Sequence, residues 1–121
     1  MKSKFPSEKS EMSSVSTASL LLRGVAPTGR NIKATIATLA SRFGWGHGRT
    51  RGIWYEDARR IDADEMDALR REACERAARN EALARAMEST DPGFYRPEIA
   101  ALRDAARSLR RLAAAPGTEP D

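Results

Sequence analysis

The chain is 121 residues long, 40% hydrophobic but only 6% aromatic, with a formal net charge of +4. That length holds one domain plus an arm or extension, so helices rich in Ala and Leu must supply much of the core. One cysteine, Cys74, and one histidine, His47, exclude an intramolecular disulfide and a structural zinc site of four Cys or His ligands, and a reducing, cytoplasmic setting fits.

Residues 1–19 are rich in Ser and Lys, lack periodicity and read as a disordered arm. Ser19–Arg23 is a short apolar patch suited to a helical turn. With Lys2 and Lys4 it faintly imitates an export signal, but Arg23 interrupts it and no small-residue cleavage site follows. No apolar run anywhere approaches the roughly 18–20 residues that span a bilayer. Gly24, Pro27 and Gly29 then break the chain.

From Asn31 the pattern turns helical. Ile32, Ile36, Leu39 and Phe43 recur at spacings of four, three and four, which places them on one face. Asn31 is a good N-cap and Gly44 a good helix terminator. Gly46-His47-Gly48 opens a second, shorter helix to about Tyr55, with Thr50, Ile53 and Trp54 facing inward. Trp45 and Trp54 read as core residues. Asp62-Ala63-Asp64-Glu65 resembles a capping box whose acidic side chains suit the dipole of a long helix over about 63–88. That helix has a seam of Met66, Leu69, Ala73, Arg76, Asn80, Leu83 and Met87, apolar at its ends and polar in the middle. Cys74 falls among its alanines and reads as a small buried or half-buried residue. Ser89–Gly93 is a turn, and a last helix runs from about Pro97 to Leu112 on a stripe of Ile99, Leu102, Ala106, Leu109 and Leu112. The remainder, from about Ala114, reads as a disordered tail. The expected fold is all-α: a helix-turn-helix region at 20–62 and a helical hairpin at 63–113 that serves a closed bundle or a homodimer.

Charge is segregated along this order. Residues 30–60 carry a net +5, whereas residues 61–121 carry −3. A polyanion-binding surface in the middle of the chain fits that distribution, with the acidic half as a solvated scaffold, and so, on charge alone, does a basic solubilising patch.

The sharpest local signal is Leu39-Ala40-Ser41-Arg42-Phe43-Gly44-Trp45. A small residue at Ala40 lets a second helix approach, a glycine four positions later makes the turn, and Leu39, Phe43, Trp45 and Ile53 close the core around it. The run resembles the helix-turn-helix of the Cro and phage-repressor family, and Arg59–Met66 looks like the loop and capped helix that follow there; together they cover about Ile36–Leu69. Thr50 departs from the aliphatic residue usual at its position, Gly48 and Gly52 weaken the second helix, and only residues 14–23 are placed to supply the family's first helix.

The resemblance implies double-stranded DNA as partner and a regulator of transcription, repressor-like and of prophage or mobile-element type. Base readout would fall to His47, Gly48, Arg49, Arg51, Gly52 and Tyr55, and phosphate contacts to Arg30, Lys33, Arg42, Arg59 and Arg60. Neither cofactor, metal nor catalytic constellation is expected, because the carboxylates alternate with arginines on polar helix faces. Two other readings fit the same residues: a protein-interaction module such as an antiactivator that uses the hairpin, and an accessory of DNA packaging or recombination.

Overall fold

The computed structural model describes residues 13–29 and 31–115. Five helices and no strand occur among them: α1 (Ser14–Gly24), α2 (Ile32–Phe43), α3 (His47–Trp54), α4 (Ala63–Thr90) and α5 (Arg96–Ala114). The all-α expectation holds.

α1 departs most from the sequence reading. Ser14–Ser19, assigned to a disordered arm, are helical, while residues 1–12 lie outside the described residues. Five hydroxyl residues between Ser13 and Ser19 disfavour an isolated helix, since their side chains compete for backbone hydrogen bonds. Tertiary contact reverses the balance. Ser13 caps the helix by accepting from Ser16 N at 3.1 Å, and Ser19 is fully buried with its Oγ donating to Trp54 O at 2.7 Å. The same turn of α1 inserts Ala18, Leu21 and Leu22 into the core at zero exposure.

α2 begins where expected: Asn31 Oδ1 accepts from Ala34 N at 2.8 Å. Its face is buried at Ile36 and Leu39, but Ile32 in the first turn is 47% exposed and Phe43 only half-buried, because the neighbouring helices cover the middle of α2 rather than its ends. α4 follows the capping box, with Asp62 N donating to Glu65 Oε1 at 3.0 Å. It continues two residues beyond the predicted end, giving 28 residues, about 42 Å.

α4 and α5 form an antiparallel hairpin whose interface is built from small residues. Ala73, Ala77, Ala84 and Ala106 are all fully buried, and Ile99 and Leu109 fill the spaces between them. Three ion-pair staples lie on or beside α4: Glu88 with Arg103, Glu81 with Arg110 and Glu72 with Arg42. Cys74 is exposed, correcting the buried reading: it lies one position, about 100°, beyond Ala73 and so leaves the buried line of α4. The predicted seam is buried at Met66, Leu69 and Ala73, but beyond these burial follows Ala77 and Ala84, and Leu83 is 48% exposed.

One hydrophobic cluster joins these elements. Leu21, Leu22 and Val25 from α1 and its C-terminal turn pack with Ile36, Leu39, Ile53 and Trp54, and also with Met66, Leu69, Ala73 and Leu109. The segments 20–62 and 63–113 therefore share a core, with α1 touching α3, α4 and α5. Residues 116–121, most of the predicted tail, lie outside the described residues.

Candidate nucleic-acid interface

The turn between α2 and α3 is dictated by Gly44, which adopts φ 73°, ψ 25°. Only a residue without Cβ reaches that left-handed conformation at little cost. Two backbone bonds then close the helix end in a Schellman arrangement: Trp45 N donates to Ala40 O at 3.0 Å, and Gly44 N to Ser41 O at 3.3 Å. Trp45 folds back and stacks on Phe43, with centroids 4.5 Å apart and planes 15° from parallel. Gly46 is extended and caps α3 without a side chain, so the amides of the first turn receive no side-chain cap.

α3 divides sharply into two faces. Thr50, Ile53 and Trp54 are buried. Thr50 occupies a site of zero exposure and satisfies its hydroxyl locally, Oγ1 donating to Gly46 O at 2.9 Å. A threonine thus fills a position expected to be aliphatic without stranding a polar group. On the opposite face His47, Gly48, Arg51 and Tyr55 are exposed. Arg51 reaches over the Tyr55 ring, 5.5 Å from its centroid, and makes no ion pair with a described residue. A Cβ at Gly48 would meet nothing within 4 Å.

Arg49 and Gly52 differ from the other predicted base-reading residues. Arg49 grips Glu65 at the start of α4 with two parallel bonds, Nε to Oε2 at 2.8 Å and Nη2 to Oε1 at 2.6 Å, and also donates to Arg60 O at 2.8 Å. The hydrogen bonds from Arg49 hold the Glu65 carboxyl below the usual carboxylate range against the opposing effect of burial, and raise the guanidinium in turn. Arg49 therefore ties α3 to α4. Gly52 lies half-buried under the following loop: its carbonyl accepts from Asp57 N at 2.7 Å and Ala58 N at 3.1 Å, and a Cβ there would sit 3.9 Å from Ala58 N.

Of the predicted phosphate contacts, Lys33, Arg59 and Arg60 are exposed, on the first turn of α2 and in the α3–α4 loop. Arg42 is exposed at the end of α2 and pairs with Glu72 at 3.2 Å. Arg30 lies outside the described residues.

Two residues that position α3 escaped sequence reasoning. Glu65 has a capping signature, but nothing local announces its bond to Arg49. Arg23 was only a break in an apolar run; its Nη2 donates to Trp54 O at 2.7 Å and its guanidinium lies 4.6 Å from the Trp54 ring centroid. Left-handed Glu56 (φ 62°) turns the chain out of α3, and its carboxylate accepts from Ser16 Oγ at 2.9 Å, so α1 holds that turn as well. Among the described residues no three His, Cys, Asp or Glu side chains converge on a metal-sized site, and no helix is long and apolar enough to cross a membrane. No protein-family model, curated protein or solved structure matches the chain.

Proposed function

We propose that the chain binds double-stranded DNA in a sequence-specific manner, with α3 in the major groove, and regulates transcription as a repressor-like protein. The observation that carries this reading is the composition of α3's open face: His47, Gly48, Arg51 and Tyr55 lie outward, and Arg51 is free of any described carboxylate. A guanidinium so placed can pair with both acceptors of a guanine edge. The uncapped first turn of α3 presents amides suited to a phosphate, Arg60 is tied to α3 through Arg49, and Lys33 and Arg59 are further exposed cations of the same basic segment. Arg49 serves the interface indirectly, by fixing α3 on α4.

A homodimer is part of this proposal, since two copies would place two recognition helices on half-sites about one DNA turn apart. The test is anisotropy of random and in vitro selected duplexes across a salt series. Arg51→Ala should reduce affinity for selected duplexes by about 1–3 kcal/mol and relax one base preference. Loss of Lys33, Arg59 or Arg60 should weaken all duplexes alike and lower the salt slope by about one each. No binding to either pool at low salt overturns the reading.

One observation favours a second reading, a protein-interaction module. Phe94, in the turn joining α4 to α5, is 72% exposed, and Leu83 on α4 is 48% exposed. Large apolar side chains there fit a partner protein. Retained DNA binding after Phe94→Ser and Leu83→Ser separates this surface from α3.

A further inference from the structure

A cleft of about 380 Å³ opens between the end of α1, the turn that follows it and the α4–α5 hairpin. That volume lies within the range of small-molecule sites. Arg23 and Arg76 line it together with Asn80 and Ser108, and Ala26 and Leu112 supply apolar wall. No Asp or Glu is among the lining residues.

This charge pattern is unlike that of the surrounding helices. Arg49, Arg103 and Arg110 each face a carboxylate through two hydrogen bonds. Arg76 instead donates to Val25 O at 3.0 Å, and Arg23 to Trp54 O at 2.7 Å and Ser19 Oγ at 3.2 Å. Carbonyl and hydroxyl oxygens satisfy individual N–H groups but do not neutralise the cation. Each guanidinium has five such donors, so both retain spare ones. Burial lowers Arg76 from the ordinary arginine range, and the nearby charges of Arg79 and Arg42 push the same way, while Glu72 opposes them. Glu72 is itself shared between Arg42 at 3.2 Å and Arg79 at 3.9 Å.

We propose that this cleft binds a small organic anion: a carboxylate with a compact apolar body, its head group on Arg23 and Arg76 and its body against Ala26 and Leu112. An anion there supplies the missing countercharge, and a bidentate guanidinium–carboxylate pair is strongest where water is partly excluded. The site stands independently of the DNA reading, because it is measured without DNA.

The experiment titrates the full chain with benzoate, benzamide and inorganic phosphate. It follows the Asn80 and Ser108 amides by NMR and Trp54 fluorescence in a Trp45→Phe background, where Arg23 stacked on the indole makes emission sensitive to its movement. Benzoate should bind saturably with a Kd of about 1 mM or tighter. Benzamide, lacking the charge, and phosphate, lacking the apolar body, should each bind at least about tenfold more weakly, a difference of about 1.4 kcal/mol. Arg76→Gln should weaken benzoate by a similar factor. Because Arg76 also anchors Val25, a second variant, Ala105→Phe at the exposed rim, should abolish binding while leaving the core untouched. Unsaturable shifts, equal affinity for benzamide, or undiminished binding by Ala105→Phe each overturn the proposal.

Discussion

Arg49 and Arg51 stand two positions apart on α3, so their side chains leave the helix about 200° apart and meet different surroundings. Arg51 faces solvent over Tyr55, whereas Arg49 is held by Glu65 and the Arg60 carbonyl. Their alanine variants should therefore separate. Arg49→Ala should lower stability by about 1–2 kcal/mol, a figure discounted because the guanidinium is partly exposed, and Arg51→Ala should leave the melting temperature unchanged. Thermal denaturation at neutral pH reads both. The pair also sets a pH response. Glu65 titrates lower in the folded chain than in the unfolded one, so its contribution is complete above the ordinary carboxylate range and disappears as pH falls through its lowered value. Arg49 stays charged in both states over the accessible range, so nothing is lost on the alkaline side. Glu65→Gln should flatten the acid limb of stability against pH; an unchanged limb would show that the bond is not formed in solution.

At the scale of elements, glycines of the same segment do opposite things. Gly44 sits at φ 73° and ends α2, while Gly48 lies inside α3 with open space where a Cβ would go. Gly44→Ala should cost about 1 kcal/mol or more, and Gly48→Ala should gain about 0.5–1 kcal/mol through helix propensity and a less flexible unfolded chain. If α3 docks closely in a groove, the added methyl should also weaken DNA binding in proportion to its contact with the duplex. Stabilisation with unaltered affinity would remove Gly48 from the interface. α1 illustrates the converse case, in which intrinsic preference opposes the element and packing imposes it. Its serines form a helix because Leu21, Leu22 and Ser19 have partners on α3 and the hairpin.

For the whole molecule, the shared core predicts that α1–α3 do not fold alone. A fragment of residues 13–62 loses Met66, Leu69, Ala73, Ala77, Ala106 and Leu109 from the cluster around α1. It should give a non-cooperative melt by circular dichroism, while the full chain melts cooperatively. Leu69→Ala, at a site of zero exposure, should cost about 2–5 kcal/mol, read by thermal denaturation of the full chain. A well-dispersed NMR spectrum from the 13–62 fragment would contradict the single-core description.

The helix pair α2–α3, its caps and the long hairpin were legible in the sequence because they rest on short-range physics. Apolar spacing, the side-chain oxygen of Asn31, the missing Cβ of Gly44 and the acidic first turn of α4 act within a few residues. The outward set His47, Gly48, Arg51 and Tyr55 also follows from helical periodicity opposite Thr50 and Ile53. Three features required contacts over long sequence separations: the helical state of Ser14–Ser19, the capture of Arg49 by Glu65, and the burial of the hairpin along Ala77, Ala84 and Ala106 rather than Leu83. A sequence read in windows gives each arginine its charge and each alanine its size. Which arginine faces solvent and which alanine is covered was decided only when the described helices closed on one core.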